Sequence, residues 1–230
     1  MSPVGQEAVL VWNGQVAPAG PIGRPAPPLR DVSAIIAPIE RSGTRHGERA
    51  EPVLRVATPA DAPAIDRLMK ESAAGLFPGF YDERQVASGV EHIASVDPVL
   101  LEDGTYFVLE AGGEPVACGG WSRRDRLYTG SGEADGDARL LDPAREPARV
   151  RAMFVRPDWT RRGLGRRILD ECERAAAREG FSRVALVATL AGLPLYLAYG
   201  FEPQDEAEIA LPDGVTVGTV SMEKAIGGSS

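Results

Sequence analysis

Between Arg149 and Ala177 the chain reads RVRAMFVRPDWTRRGLGRRILDECERAAA, and this stretch constrains the fold more than any other. RVRAMFV has the apolar and β-branched content of a strand, and Pro157 stops it because proline cannot donate to a ladder. The loop TRRGLGRR, residues 160–167, holds four arginines and two glycines. Leu164, Ile168, Cys172 and Ala176 then recur four residues apart, the apolar face of a helix that begins near Gly163. A strand running through a short loop into a helix leaves the first four helical N–H groups without internal partners. That end attracts anions, and the helix dipole adds about 0.3–1 kcal/mol per charge. Glycine at 163 and 165 is expected to let a phosphate approach the backbone, with Arg161, Arg162, Arg166 and Arg167 adding charge-assisted bonds.

The arginines alone suggest nucleic acid, but the whole chain argues against it. Its 33 acidic and 25 basic residues give a formal charge of -8, the wrong sign for holding a polyanion non-specifically. Two nucleotide motifs also fail. A Walker loop ends in Gly-Lys-Ser/Thr, which is missing, and the dinucleotide fingerprint needs a third glycine where Ile168 stands.

The flanking pattern predicts a single domain over residues 53–227. VLRVAT reads as a strand; TPADAPAIDRLMKESAAG as a helix with Thr58 at its N-cap; YDERQVASGVEHIASV as a second helix. TYFVLEAGG and EPVACGGWSRRDRL form a hairpin around Gly112-Gly113-Glu114. After the quoted unit come a strand (FSRVALVAT), a short helix (LAGLPLYLAYG) and a closing hairpin of EIALPDG with VTVGTVSMEKA. The order β-α-α-β-β-β-α-β-α-β-β specifies an α/β or α+β domain on a mixed, mostly antiparallel sheet. Residues 1–52, rich in proline, glycine and charge, read as a disordered extension, and 228–230 as a flexible tail. No apolar run approaches the roughly 20 residues of a membrane span, and MSPVGQEAVLVWNG lacks the features of a secretory signal, so a cytoplasmic protein is expected. Cys118 and Cys172 have neither disulfide nor zinc spacing, and with only His46 and His92 beside them no metal is expected.

Strand RAMFV, loop RPDWTRRGLG and helix start RRIL together resemble the acetyl-CoA-binding motif of the GCN5-related N-acetyltransferase (GNAT) superfamily. PLYLAYGF is similar to that family's tyrosine-x-x-x-Gly-Phe segment, and the element order agrees over residues 53–227. The resemblance implies acetyl-CoA as cosubstrate. Its pyrophosphate would lie on Arg161, Arg162, Gly163, Leu164, Gly165 and Arg166, and its pantetheine arm would pair with the backbone of Met153, Phe154 and Val155. It also implies a backbone donor on the strand for the thioester carbonyl and Tyr196 as the acid for the departing thiolate, with Tyr199 the competitor. One departure is Thr160, where the family has Gln or Arg.

The general base stays open among Tyr81, Glu83, His92, Asp125 and a water chain, because the strand itself offers Arg149 and Arg151 and no carboxylate. Cys118 has no nearby histidine to activate it, which favours direct transfer. The link 128–148 is read as a substrate-side lid near the open end of the cofactor groove, with FPGFYDERQ as the opposite wall. The expected function is therefore acetyl transfer to a primary amine on a small molecule or peptide, without nucleic acid or membrane. A non-catalytic acyl-CoA sensor is the alternative, and oligomeric state, including a homodimer, is open.

Overall fold

The computed structural model describes residues 51–125 and 139–227. The expected extension, apart from Glu51 and Pro52, the tail at 228–230 and the lid residues 128–138 lie outside the described residues.

β1 (Val53–Val56) leads through a 3-10 turn (Pro59–Asp61) into α1 (Ala62–Leu76). Thr58 caps the turn rather than the helix, its N–H donating to Asp61 Oδ2 at 2.8 Å. Arg55 ties strand to turn, donating from Nη1 and Nη2 to the two Asp61 carboxylate oxygens at 2.8 Å each. Ile65, Leu68, Met69 and Ala73 are buried along one stripe of α1, where each large side chain contributes about 1.5–3 kcal/mol by leaving water.

A second 3-10 turn (Phe77–Gly79) precedes α2 (Glu83–His92), which Asp82 and Gln85 cap reciprocally. A five-residue helix, α3 (Pro98–Glu102), follows; the sequence pattern had not marked it.

β2 (Tyr106–Ala111), β3 (Glu114–Ser122) and β4 (Ala148–Val155) come next. A 3-10 turn (Pro157–Trp159) then enters α4 (Leu164–Arg178), whose Leu164, Ile168, Cys172 and Ala176 are buried as the period requires. β5 (Arg183–Thr189), α5 (Leu193–Tyr199), β6 (Glu202–Ala210) and β7 (Thr216–Ala225) complete the domain.

The seven strands form one sheet in the order β1-β2-β3-β4-β5-β7-β6. Every neighbouring pair is antiparallel except β4 and β5, which are parallel. Cys118 of β3 belongs to the core cluster built on α1, whereas a methyl at Gly119 would strike Met153 and Ile168 of α4. Successive strand residues face opposite sides, so α1 and α4 cover opposite faces of the sheet.

Two irregularities in β4 shape its centre. Cys118 lies opposite Phe154 but Gly120 opposite Arg151, so Gly119 faces both Ala152 and Met153: a β-bulge. Ala152 sits at φ 52, a left-handed conformation that costs a residue with a side chain about 1–2 kcal/mol. Secondly, β4 and β5 pair only at Ala148–Val184 and Arg149–Ala185. Beyond those two pairs the strands part.

Candidate active site

The parting strands leave a gap in mid-sheet with unpaired backbone along β4. Arg156 N–H donates to Val116 O at 3.0 Å, so residue 156 faces β3. Strand residues alternate in direction, which turns the amides of Met153 and Val155 toward the gap and that of Phe154 toward β3. Of Met153, Phe154 and Val155, expected to pair with pantetheine, the first and last thus turn their amides to the gap and Phe154 does not. Ser72 of α1 donates to Val155 O at 2.8 Å, which fixes the outer end of the strand.

At the open end of the gap the chain makes its turn and enters α4. Arg161 and Gly163 both take left-handed conformations, φ 62 and 76, and Gly163 is the helix N-cap. A methyl on Gly163 would meet nothing within 4 Å, so glycine is there for its dihedral angle and faces open space. Gly165 is different. It is buried, and a methyl there would come within 2.8 Å of Leu195 Cδ2, so its missing side chain makes room for α5 rather than for a phosphate. Leu164 is buried beneath the loop.

The arginines are partly occupied. Arg162 stacks over the Trp159 ring at 4.7 Å, Arg166 lies over Tyr199 at 5.1 Å and donates to Ala198 O at 3.3 Å, and Arg167 donates to Pro52 O at 3.0 Å. Arg161 is exposed at the turn. Thr160 donates its hydroxyl to Pro157 O at 2.9 Å and so closes the turn.

The two tyrosines of α5 have different surroundings. Tyr196 is buried edge-on to Phe201, with ring centroids 5.7 Å apart, and burial, followed by the neighbouring Cys172, holds its hydroxyl well above the usual tyrosine range. Tyr199 donates to Asp170 Oδ1 of α4 at 2.8 Å and lies beside Arg166 and Lys224.

Among the proposed bases, Tyr81 donates to Gly218 O and accepts from Leu190 N–H, both at 2.8 Å, and burial pushes its pKa up to about 12. His92 Nε2 stands 3.8 Å from Asp213 Oδ2, and Asp125 binds Arg139 and Arg149 at 2.8 Å each. Glu83 lies in the first turn of α2. Both thiols are fully buried, and burial, outweighing hydrogen bonds from Tyr106 and the Phe154 backbone, raises that of Cys118 to about 12. The described end of the expected lid joins β4 where β4 and β5 are still paired, so it meets the closed end of the gap, not the open end.

Two features of this centre escaped the sequence analysis. Asp97, at the start of α3, reaches Arg151 of β4 at 2.9 Å with both side chains buried. Tyr106 of β2 donates to the bulged Ala152 carbonyl at 2.7 Å. No group of three or more metal-ligating side chains occurs among the described residues, and none of the described helices is long and apolar enough to cross a membrane.

Residues 102–203 match the family model described as an acetyltransferase (GNAT) domain. Those residues are similar to a GNAT domain. Among solved structures it is similar to the GCN5-related N-acetyltransferase (aminotransferase, class-II) of Rhodopseudomonas palustris, at 18% identity over 79% of this chain and 99% of that one, TM-score 0.59. It is similar as well to the PaiA N-acetyltransferase of Thermoplasma acidophilum in complex with coenzyme A, at 15% identity over 76% and 98% of the two chains, TM-score 0.53. A third is yncA of Salmonella typhimurium with its cofactor acetyl-CoA, at 17% identity over 79% and 97%, TM-score 0.51. At these identities the likeness is one of fold, and it extends the GNAT architecture beyond 102–203 to the described domain. No curated protein sequence matches the chain.

Proposed function

We propose that this GNAT-like domain is an acetyl-CoA-dependent N-acetyltransferase that passes the acetyl group directly to a primary amine. The observation that carries the proposal is the divergence of β4 from β5 beside the N-terminus of α4, which combines a strand-shaped vacancy in the sheet with an anion-binding helix end. The residues present suit the ligand: unpaired amides on β4, an N-cap glycine facing open space, and an exposed Arg161.

When bound, acetyl-CoA supplies an activated acyl thioester. The amides of residues 161–166 hold its pyrophosphate, with Gly163 keeping the approach open and the arginines adding charge. Met153 and Val155 offer backbone groups to the pantetheine arm, and a β4 amide polarises the thioester carbonyl. Tyr196, kept protonated by burial, carries the proton for the departing thiolate. Neither Cys118 nor Cys172 supplies a nucleophile, since burial disfavours both thiolates, and direct transfer follows.

The test is release of free thiol from acetyl-CoA against a panel of primary amines, run beside Gly163→Val. Turnover with at least one amine and loss of acetyl-CoA binding in the variant are expected. Unchanged binding in Gly163→Val would overturn the cradle at the head of α4.

A further inference from the structure

The bulge in β4 places a backbone carbonyl outside the normal ladder, and one side chain captures it. Tyr106, fully buried on β2, reaches across β3 to donate its hydroxyl to Ala152 O at 2.7 Å. That carbonyl belongs to the same planar peptide unit as the Met153 N–H, and there is no cis bond in the chain's described residues. In a trans peptide the two groups point in opposite directions. Drawing Ala152 O toward β2 therefore drives Met153 N–H the other way, into the gap between β4 and β5.

We infer that Tyr106 is a positioning residue for catalysis: by holding the Ala152–Met153 peptide plane, it aims the Met153 N–H at the thioester carbonyl of acetyl-CoA. This rests on the acetyltransferase reading and adds the device that orients its backbone donor. Two further observations bear on it. Ala152 occupies a left-handed conformation that an alanine does not adopt unless its surroundings hold it there, and the Tyr106 hydroxyl is that hold. Burial also raises the Tyr106 pKa well above the usual value, so the hydroxyl remains a donor across the working pH range.

The experiment uses the full chain with acetyl-CoA labelled with carbon-13 at the carbonyl, read by isotope-edited infrared spectroscopy. In the unaltered protein, binding is expected to lower the carbonyl stretch relative to free acetyl-CoA. Tyr106→Phe removes only the hydroxyl; it should abolish most of that shift while acetyl-CoA affinity changes by less than about threefold, since the loop and the strand edge remain. A folded Tyr106→Phe protein that keeps the full shift overturns the inference.

Should that variant fail to fold, the unaltered chain answers by NMR. The Met153 amide proton is expected to move downfield when acetyl-CoA replaces coenzyme A, and identical shifts in the two complexes overturn the inference. Absence of any acetyl-CoA binding by the unaltered protein would instead defeat the acetyltransferase reading, whereas binding without a carbonyl shift defeats the Tyr106 inference and the polarising β4 amide it serves, and leaves the cofactor groove standing.

Discussion

Tyr199 donates its hydroxyl to Asp170 at 2.8 Å, joining the end of α5 to the outer face of α4. Its neighbour in the family's tyrosine segment, Tyr196, is turned inward against Phe201 and Cys172. The two are one helical turn apart in sequence but do different work. Tyr199→Phe should retain kcat and lose about 1 kcal/mol of stability, the net worth of one hydrogen bond. Tyr196→Phe should lower kcat by about 10²-fold, within the range for loss of a positioned acid, with little change in KM for acetyl-CoA. Thiol-release kinetics and thermal melts on the two variants separate these outcomes; full turnover in Tyr196→Phe would remove Tyr196 as the acid.

The two glycines of the α4 entry should respond in opposite ways. Gly163→Val forces a branched side chain into a left-handed position that faces open space, and should weaken acetyl-CoA binding while leaving the domain folded. Gly165→Ala presses only on the end of the half-buried Leu195 side chain, which can turn aside, and should leave acetyl-CoA binding intact while costing at most about 1 kcal/mol. Leu195→Ala added to Gly165→Ala should return part of that loss. Calorimetric titration with coenzyme A and denaturant melts check both.

Tyr81 satisfies two backbone groups, the Leu190 N–H just past β5 and the Gly218 carbonyl of β7. Tyr81→Phe should therefore destabilise the domain by about 1–3 kcal/mol, because both groups lose their partner where water is scarce. Its pKa of about 12 keeps the hydroxyl protonated near neutrality and leaves almost no phenolate to act as base, so the kcat–pH profile of the folded variant should keep the unaltered protein's shape. A shifted acidic limb would reinstate Tyr81 as the base.

Asp61 has a folded-state pKa held well below the usual carboxylate range, chiefly by its bidentate bond from Arg55. A depressed carboxylate contributes stability that is present above its unfolded pKa of about 3.9 and is lost as pH falls toward the folded value. The melting temperature should thus fall as pH drops below about 4. Arg55→Met should lower stability at neutral pH and flatten that acid limb. Melts at a series of pH values for both proteins measure the difference.

The sequence made the long elements plain and the centre obscure, for physical reasons that particular residues illustrate. The buried stripe of α4 follows from four-residue spacing alone, and so did its helix. α3 was missed because five residues cannot display a helical period. β6 begins at Glu202, seven residues ahead of the Ile209 core of the expected strand, because EPQDEAE carries edge-strand charge instead of alternation. At the site, the glycine pair signalled a helix entrance. Only packing tells that Gly163 faces space and Gly165 faces Leu195, since a glycine reveals what is missing and not what stands opposite. The bulge left no trace, because Ala152 is the wrong residue for its conformation and its anchor, Tyr106, lies forty-six positions earlier.

The two residue pairs that join β4 to β5 make the sheet a seam as much as a surface. Strands β1 to β4 form one panel and β5 to β7 another, stitched at Ala148–Val184 and Arg149–Ala185 and then left open. A ligand lying along that opening completes the hydrogen-bond inventory of the sheet and lengthens the stitching from two rungs toward the full strand. Loading the domain is thus also mending it, and slow amide exchange at Met153 and Val155 would be the mark of a mended seam.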